Sequence, residues 1–302
     1  MSAFYQQLFN GIAWGGIYVL LALGYTMVYG VLKLINFAHG EVFMIGAMTA
    51  FYVNAADPGL MRQTHPLTAL LILFIASALV CSMLVLLIER IAYRPLRQAP
   101  RLSALITAIG VSLLLQNMGQ LVFGADPKPF PSIIESRPVL DIGGAVLSNL
   151  QATVIVSSLV LLAGLQAFVT STRLGRAIRA VSFNPKAAAL MGIDVDRVIA
   201  ATFVIGSVMA AAAGILYGLF LPKIEPFMGV MPGLKAFVAA VLGGIGSLPG
   251  AALGGLIMGV SETFVTGYIS SNLRDAIAFV LLIFILIYKP SGILGHSQPE
   301  KV

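Results

Sequence analysis

Uninterrupted apolar runs constrain this chain more than any other feature, because most of them are long enough to cross a lipid bilayer. Candidate helices fall at about 9–31, 37–55, 67–88, 103–123, 151–169, 198–221, 234–262 and 274–288. A hydrocarbon core of about 30 Å needs about 20 consecutive apolar residues in helical form. The expected fold class is therefore all-α, a polytopic transmembrane bundle of about eight segments. Composition agrees: 59% of the residues are hydrophobic and 10% are charged, against about 25% charged in soluble domains. A soluble fold is excluded. The first basic residue, Lys33, follows a long apolar stretch, so the charged start of a cleavable signal peptide is missing and the first segment is expected to stay in the mature protein. Cys81, the single cysteine, sits among Leu79, Val80, Met83 and Leu84 and reads as a packing residue.

The net charge of +6 is a topology signal rather than a mark of nucleic-acid binding, because the basic residues collect in two short loops. Residues 89–101 carry Arg90, Arg94, Arg97 and Arg101 against Glu89, and residues 170–197 carry Arg173, Arg176, Arg179, Lys186 and Arg197 against Asp194 and Asp196. Each sums to +3. Loops of that sign lie in the cytoplasm. Residues 124–150 have Lys128 and Arg137 against Asp126, Glu135 and Asp141, a sum of −1. They are proline-rich and are expected to form a periplasmic loop. Simple alternation from these anchors would leave Lys289 on the wrong side, so one segment should break and return. The suspect is 234–262, where Gly243, Gly244, Gly246, Ser247, Pro249 and Gly250 interrupt the apolar run. Such a break frees backbone groups that lipid cannot satisfy, so it must be buried in protein or line a cavity.

Small residues spaced by four let membrane helices approach closely. Gly246, Gly250 and Gly254 form one row, Gly255 and Gly259 a second, and Gly206, Ala210, Gly214 and Gly218 a third. Helix packing accounts for them, and the broken region near Gly246 also suits a solute path. At the mouth of the second segment stand Asn36, His39, Gly40 and Glu41. Either Asn36 caps the next helix with Glu41 complementing the dipole in its first turn, or the group belongs to a pathway or gate, since ionisable groups in a membrane segment need an interior or water. Glu262 and Asp275, near segment ends, are expected to be interfacial. The stretch 172–192 is too polar to enter the membrane. Asn184 suits a helix cap, Pro185 the first helical position, and Gly192 the position past the end. With Arg176, Arg179, Lys186, Leu190 and the small face of Ala187, Ala188 and Ala189, this helix suits docking to another protein. The sequence has no phosphate-binding loop G-x-x-x-x-G-K-[ST], no cysteine or histidine cluster with metal spacing and no acceptable nucleophile–base pair outside the apolar segments, so the chain is not expected to be an enzyme, and active transport would draw its energy from a partner or an ion gradient.

Several co-linear blocks resemble a known family: Gly24 to Gly30 (Gly-Tyr-Thr-Met-Val-Tyr-Gly), Ile35 to Gly46, Glu89 to Pro95, Leu105 to Gly110, Lys235 to Gly250 and Pro290 to Gly295. The chain is similar over essentially its whole length to the permease subunit of the high-affinity, leucine-type branched-chain amino acid ABC importers. The resemblance implies one permease domain over 1–302 in the bacterial inner membrane. It implies a second permease subunit, two cytoplasmic ATP-binding subunits and a periplasmic amino acid-binding protein as partners. Lipid surrounds it, nucleic acid is no partner, and no cofactor is held by this chain because ATP is bound by the partner subunits. Asn184 to Gly192 correspond to the segment that couples to the ATPase, although Asn184, Pro185 and Lys186 stand where the family commonly has acidic residues. The expected cargo is leucine, isoleucine and valine. A urea or short-amide permease of the same superfamily is the alternative, and a secondary transporter is a reading from another class.

Overall fold

The computed structural model describes residues 2–97 and 99–295. The long helices are α1 (Ser2–Leu32), α2 (His39–Ala56), α4 (Pro66–Ile88), α5 (Arg101–Phe123), α6 (Asn149–Ser171), α9 (Val195–Phe220) and α11 (Leu248–Tyr268). Shorter ones are α3 (Pro58–Gln63), α7 (Arg173–Phe183), α8 (Pro185–Leu190), α10 (Val230–Gly243) and α12 (Ala276–Tyr288). Six of these helices are long and apolar enough to cross a membrane, whereas α10 and α12 are shorter. At 1.5 Å per residue, α10 and α12 extend only about 20 Å.

The run 234–262 is not one helix. It folds into α10 and α11, a hairpin whose arms lie so close that a side chain on Gly243 would strike the Gly250 carbonyl and one on Gly254 the Ala239 carbonyl. The expected break is therefore a reversal, after which α12 returns the chain to the end where the reversal lies. There Ile293 and Leu294 donate their N–H groups to the Leu242 and Gly243 carbonyls, both at 2.9 Å.

The loops sort into two ends. At one end Gln6 of α1 donates to the Val146 carbonyl at 3.2 Å and accepts from the Val146 N–H at 2.9 Å. This ties the start of α1 to the hairpin of β2 (Pro138–Ile142) and β3 (Ala145–Ser148). The short strands β1 (Lys128–Pro129) and β4 (Lys223–Ile224) pair there as well, so 124–148 contains strands as well as open loop. At the other end Ser182 of α7 donates to the Gly30 carbonyl at 2.6 Å, and Arg94 and Arg97 pair with Asp196 at the start of α9. Both arginine-rich loops thus share one end, opposite 124–150, as the charge rule requires.

Helix α1 is the hub, packed against α11, α9, α6 and α10 and buried almost continuously from Gly11 to Val31. A helix apolar all round belongs in the interior. Its partner surfaces are glycines: a Cβ on Gly259 would meet the Gly15 backbone, and one on Gly255 the Val19 backbone. Cys81 is buried and its thiol donates to the Val42 carbonyl at 3.4 Å. Apolar side chains face outward instead on α4 (Leu71, Ile75, Leu79, Met83), α5 (Ile106, Leu113, Leu114) and α12 (Ile283, Phe284, Ile287).

Overpacking a tight site costs roughly 1–3 kcal/mol. Gly254→Val should therefore lower the melting temperature of the detergent-purified protein, while Gly164→Val, at a position with nothing within 4 Å of an added Cβ, should leave it unchanged.

Candidate functional site

The segment 33–41 reverses the chain between α1 and α2. Lys33 takes a left-handed backbone (φ 55°), and the Asn36 carbonyl accepts from the His39 N–H at 3.1 Å. The N-cap of α2 is Ala38, with no side-chain cap. The expectation that Asn36 caps this helix is thus corrected. Its backbone makes the turn, while its buried side chain accepts from the Tyr93 hydroxyl at 2.7 Å. Tyr93 belongs to a π-helical turn, Glu89–Tyr93, that prolongs α4, and its ring stacks on Phe203 at 5.5 Å.

His39 is buried edge-to-face against Tyr25, with ring centroids 4.7 Å apart, and its Nε2 has no partner. It fills the space over Gly24, where a Cβ would collide with the ring. Gly40 meets the backbone of Gly229 and Gly233, so the starts of α2 and α10 touch. Neither start has a side-chain cap. Glu41 lies in the first turn of α2 as expected, but its carboxylate reaches across to α5. There Oε1 accepts from Ser112 Oγ at 3.2 Å and from Gln116 Nε2 at 2.8 Å.

The other predicted group, Gly243, Gly244, Gly246 and Ser247, forms the α10–α11 reversal. Gly244 and Gly246 have φ of 104° and 99°, a region that L side chains avoid. Ser247 caps α11 by accepting from the Gly250 N–H at 3.2 Å. Gly246 lies in the turn and contacts nothing through an added Cβ, so it is not part of a helix-packing row with Gly250 and Gly254. Gly243 and Gly244 are buried, the latter against Gly292 and Gly295. The two predicted groups are neighbours without being one cluster. Ile35, next to the first group, and Ile245, between members of the second, line a narrow apolar space of about 10 Å³ together with Tyr25, Tyr29, Phe237 and Ala240. That is about the volume that holds a single water.

In the segment 172–192, Thr172 caps α7, accepting from the Gly175 N–H at 2.9 Å, and Asn184 caps α8, accepting from the Ala187 N–H at 3.0 Å. Pro185 opens α8, and Gly192 follows its end at φ 82°. Arg176 and Arg179 donate to the carbonyls of Ser171 and Thr170, so both close the C-terminus of α6, where a cation suits the helix dipole. Ala188 is buried, while Lys186, Ala187 and Ala189 face outward. The most exposed large apolar side chains here are Phe183 (88%), Leu190 (89%) and Met191 (82%). Sequence reasoning stressed the alanines and Leu190, and the structure adds Phe183 and Met191.

One cluster was missed. Lys235 of α10 is buried inside the bundle and pairs with Glu262 at 3.0 Å and Asp275 at 2.6 Å. Glu262 is 0% exposed, and it also takes Arg274 and the Tyr18 hydroxyl, the latter at 2.6 Å. Arg274 lies 4.7 Å from the Trp14 ring centroid. The available signal was a lysine within an apolar run, since a charge at membrane depth is costly and is normally paired.

Apolar spanning helices, a hub helix and irregular backbone confined to the interior define a multi-pass helical membrane protein of the permease class. The family profile described as branched-chain amino acid transport system / permease component matches residues 7–286, and the chain belongs to this family. It is 46% identical, over 99% of its length and 98% of the relative's, to the high-affinity branched-chain amino acid transport system permease protein LivH of Salmonella typhimurium. It is 45% identical to the corresponding BraD of Pseudomonas aeruginosa, over 98% and 97% of the two chains. A shorter likeness, 38% over 35% of this chain and 28% of the relative, reaches the xylose transport system permease protein XylH of Escherichia coli.

Removing one partner from a buried ion pair costs about 3–5 kcal/mol. Glu262→Gln should therefore markedly lower the melting temperature, and Lys235→Met combined with Glu262→Gln, which restores charge balance, should recover part of the loss.

Proposed function

We propose that this chain is the transmembrane permease subunit of an ABC importer for leucine, isoleucine and valine. The amino acids are delivered by a periplasmic binding protein, and transport is driven by ATP hydrolysis in two cytoplasmic partner subunits. A second permease subunit completes the pathway across the bacterial inner membrane. The near full-length likeness to permeases named for branched-chain amino acid transport supports the cargo. The observation that carries the mechanism is the exposed apolar end of α7–α8. Phe183, Leu190 and Met191 project from capped helices at the arginine-rich end, and exposed apolar side chains grouped in this way mark contact sites.

On this reading α8 receives the stroke of the ATPase. Lys186, Ala187 and Leu190 contact the partner, Asn184, Pro185, Ala188 and Gly192 hold the shape of the helix, and Arg176 and Arg179 anchor it to α6. The turn at Asn36, His39, Gly40 and Glu41 and the reversal at Gly243, Gly244, Gly246 and Ser247 border the pathway as gate elements, because both are irregular backbone held inside the bundle. ATP binds only to the partners, and this chain performs no chemistry on the cargo.

Co-expression with candidate ATPases and binding proteins, purification and reconstitution into vesicles tests the proposal. ATP-dependent uptake of leucine but not urea is expected, and urea uptake without leucine uptake overturns the cargo assignment. Leu190→Asp should abolish uptake while leaving the permease in the membrane, and unchanged uptake would remove α8 from the coupling role.

A further inference from the structure

We propose that Glu41, with Ser112 and Gln116, forms an ammonium-binding subsite on the translocation path, where the α-ammonium group of the passing amino acid docks. This rests on the reading of the chain as an amino-acid permease. Glu41 is 1% exposed. Its Oε1 is held by Ser112 and Gln116, whereas its Oε2 is buried and has no hydrogen-bond partner. The other fully buried carboxylate in the membrane region shows how this protein treats a structural acid: Glu262 is surrounded by Lys235, Arg274 and the Tyr18 hydroxyl. Among the described residues no lysine, arginine or histidine forms an ion pair with Glu41. An unpaired carboxylate at that depth is costly, and a cation supplied from outside removes the cost.

The geometry suits an ammonium group. Its N–H donors match the carboxylate oxygens of Glu41 and the hydroxyl oxygen of Ser112, the acceptors that Gln116 Nε2 now occupies at 2.8 Å and 3.2 Å. Access runs along α5. This helix meets α2 through Ser112 and Gln116 at Glu41 and through Gly119 at Met44, while Gln116 is only half-buried and Asn117 beside it is exposed. Two amides on an outward face inside the membrane fit a wet or protein-covered surface better than hydrocarbon. Gln116 stands between that surface and Glu41, so an arriving ammonium group reaches the carboxylate by displacing one amide.

The test uses the complete transporter with its ATPases and binding protein in vesicles. Glu41→Gln, which keeps shape and removes charge, should reduce the rate of leucine uptake about tenfold or more, the ratio expected for loss of a charge-assisted hydrogen bond. Glu41→Asp should restore part of it. A second measurement avoids variants altogether. Dicyclohexylcarbodiimide modification of wild-type Glu41, read by mass spectrometry of its peptide as the sum of carbodiimide adduct and any amide that an amine forms with the activated carboxyl, should be suppressed by 3-methylbutylamine, which carries the ammonium and side chain of leucine without its carboxylate. Uptake by Glu41→Gln within twofold of wild type, or labelling that the amine does not suppress, overturns the subsite. Failure of the wild-type complex to take up leucine counts against the transport reading instead. Amine protection in that case still supports the ammonium site.

Discussion

The structure depends on how closely α1 and α11 approach. Lipid tails are as apolar as leucine, so burying leucine between membrane helices gains little, and association relies on van der Waals packing and interhelical hydrogen bonds. Gly15 of α1 faces Gly255 and Gly259 of α11 with no space for a Cβ. That contact sets α1 as the hub, and the same device recurs where Gly24 meets α9 at Gly206 and where Gly46 meets α9 at Ala211. Once α1 is fixed against α11 and α9, both the α10–α11 hairpin and the turn that begins α2 have surfaces to rest on.

A second requirement is that no backbone group in the bilayer lacks a partner. The α10–α11 reversal breaks the helical ladder, and the chain after α12 supplies the missing donors from Ile293 and Leu294. At the other break, the Asn36 carbonyl accepts from His39 and its side-chain oxygen from Tyr93. Irregular backbone is thus held by defined bonds, which distinguishes a built element from a loose loop.

Most of the bundle was legible in the sequence because apolar length and arginine placement act locally. The apolar runs located most of the helices within a few residues, and the mismatch at Lys289 pointed to a break within 243–250, where α10 gives way to α11. The cap at Asn184 and the glycine past the end of α8 were likewise set by neighbours within one turn. What escaped notice depended on partners distant in sequence. Asn36 looks like a cap until Tyr93, 57 residues on, claims its side chain. Glu262 looks like a lone acid until Lys235, Arg274 and Tyr18 converge on it. The amphipathic pattern of α7 and α8 showed a surface segment but not that Phe183, Leu190 and Met191 are its outermost side chains.

The arrangement also explains how a push at one end can reach the turn at α2. Helix α8 leads through a tight turn into α9, whose Asp196 pairs with Arg94 and Arg97, and Arg97 also holds Glu89. Glu89 opens the π-helical turn that ends in Tyr93, and Tyr93 holds Asn36, three residues before α2. Single-turn π segments cost regularity and concentrate at functional positions. The turn here places the Tyr93 hydroxyl on Asn36 while keeping its ring stacked on Phe203 of α9. On the proposed reading, α9 and the end of α4 move together when α8 is displaced. Such a contact route becomes a coupling mechanism only if the turn has two arrangements that both ends bias. The unpartnered Nε2 of His39 and Oε2 of Glu41, both beside that turn, are the groups that a second arrangement, or a bound cargo, would satisfy.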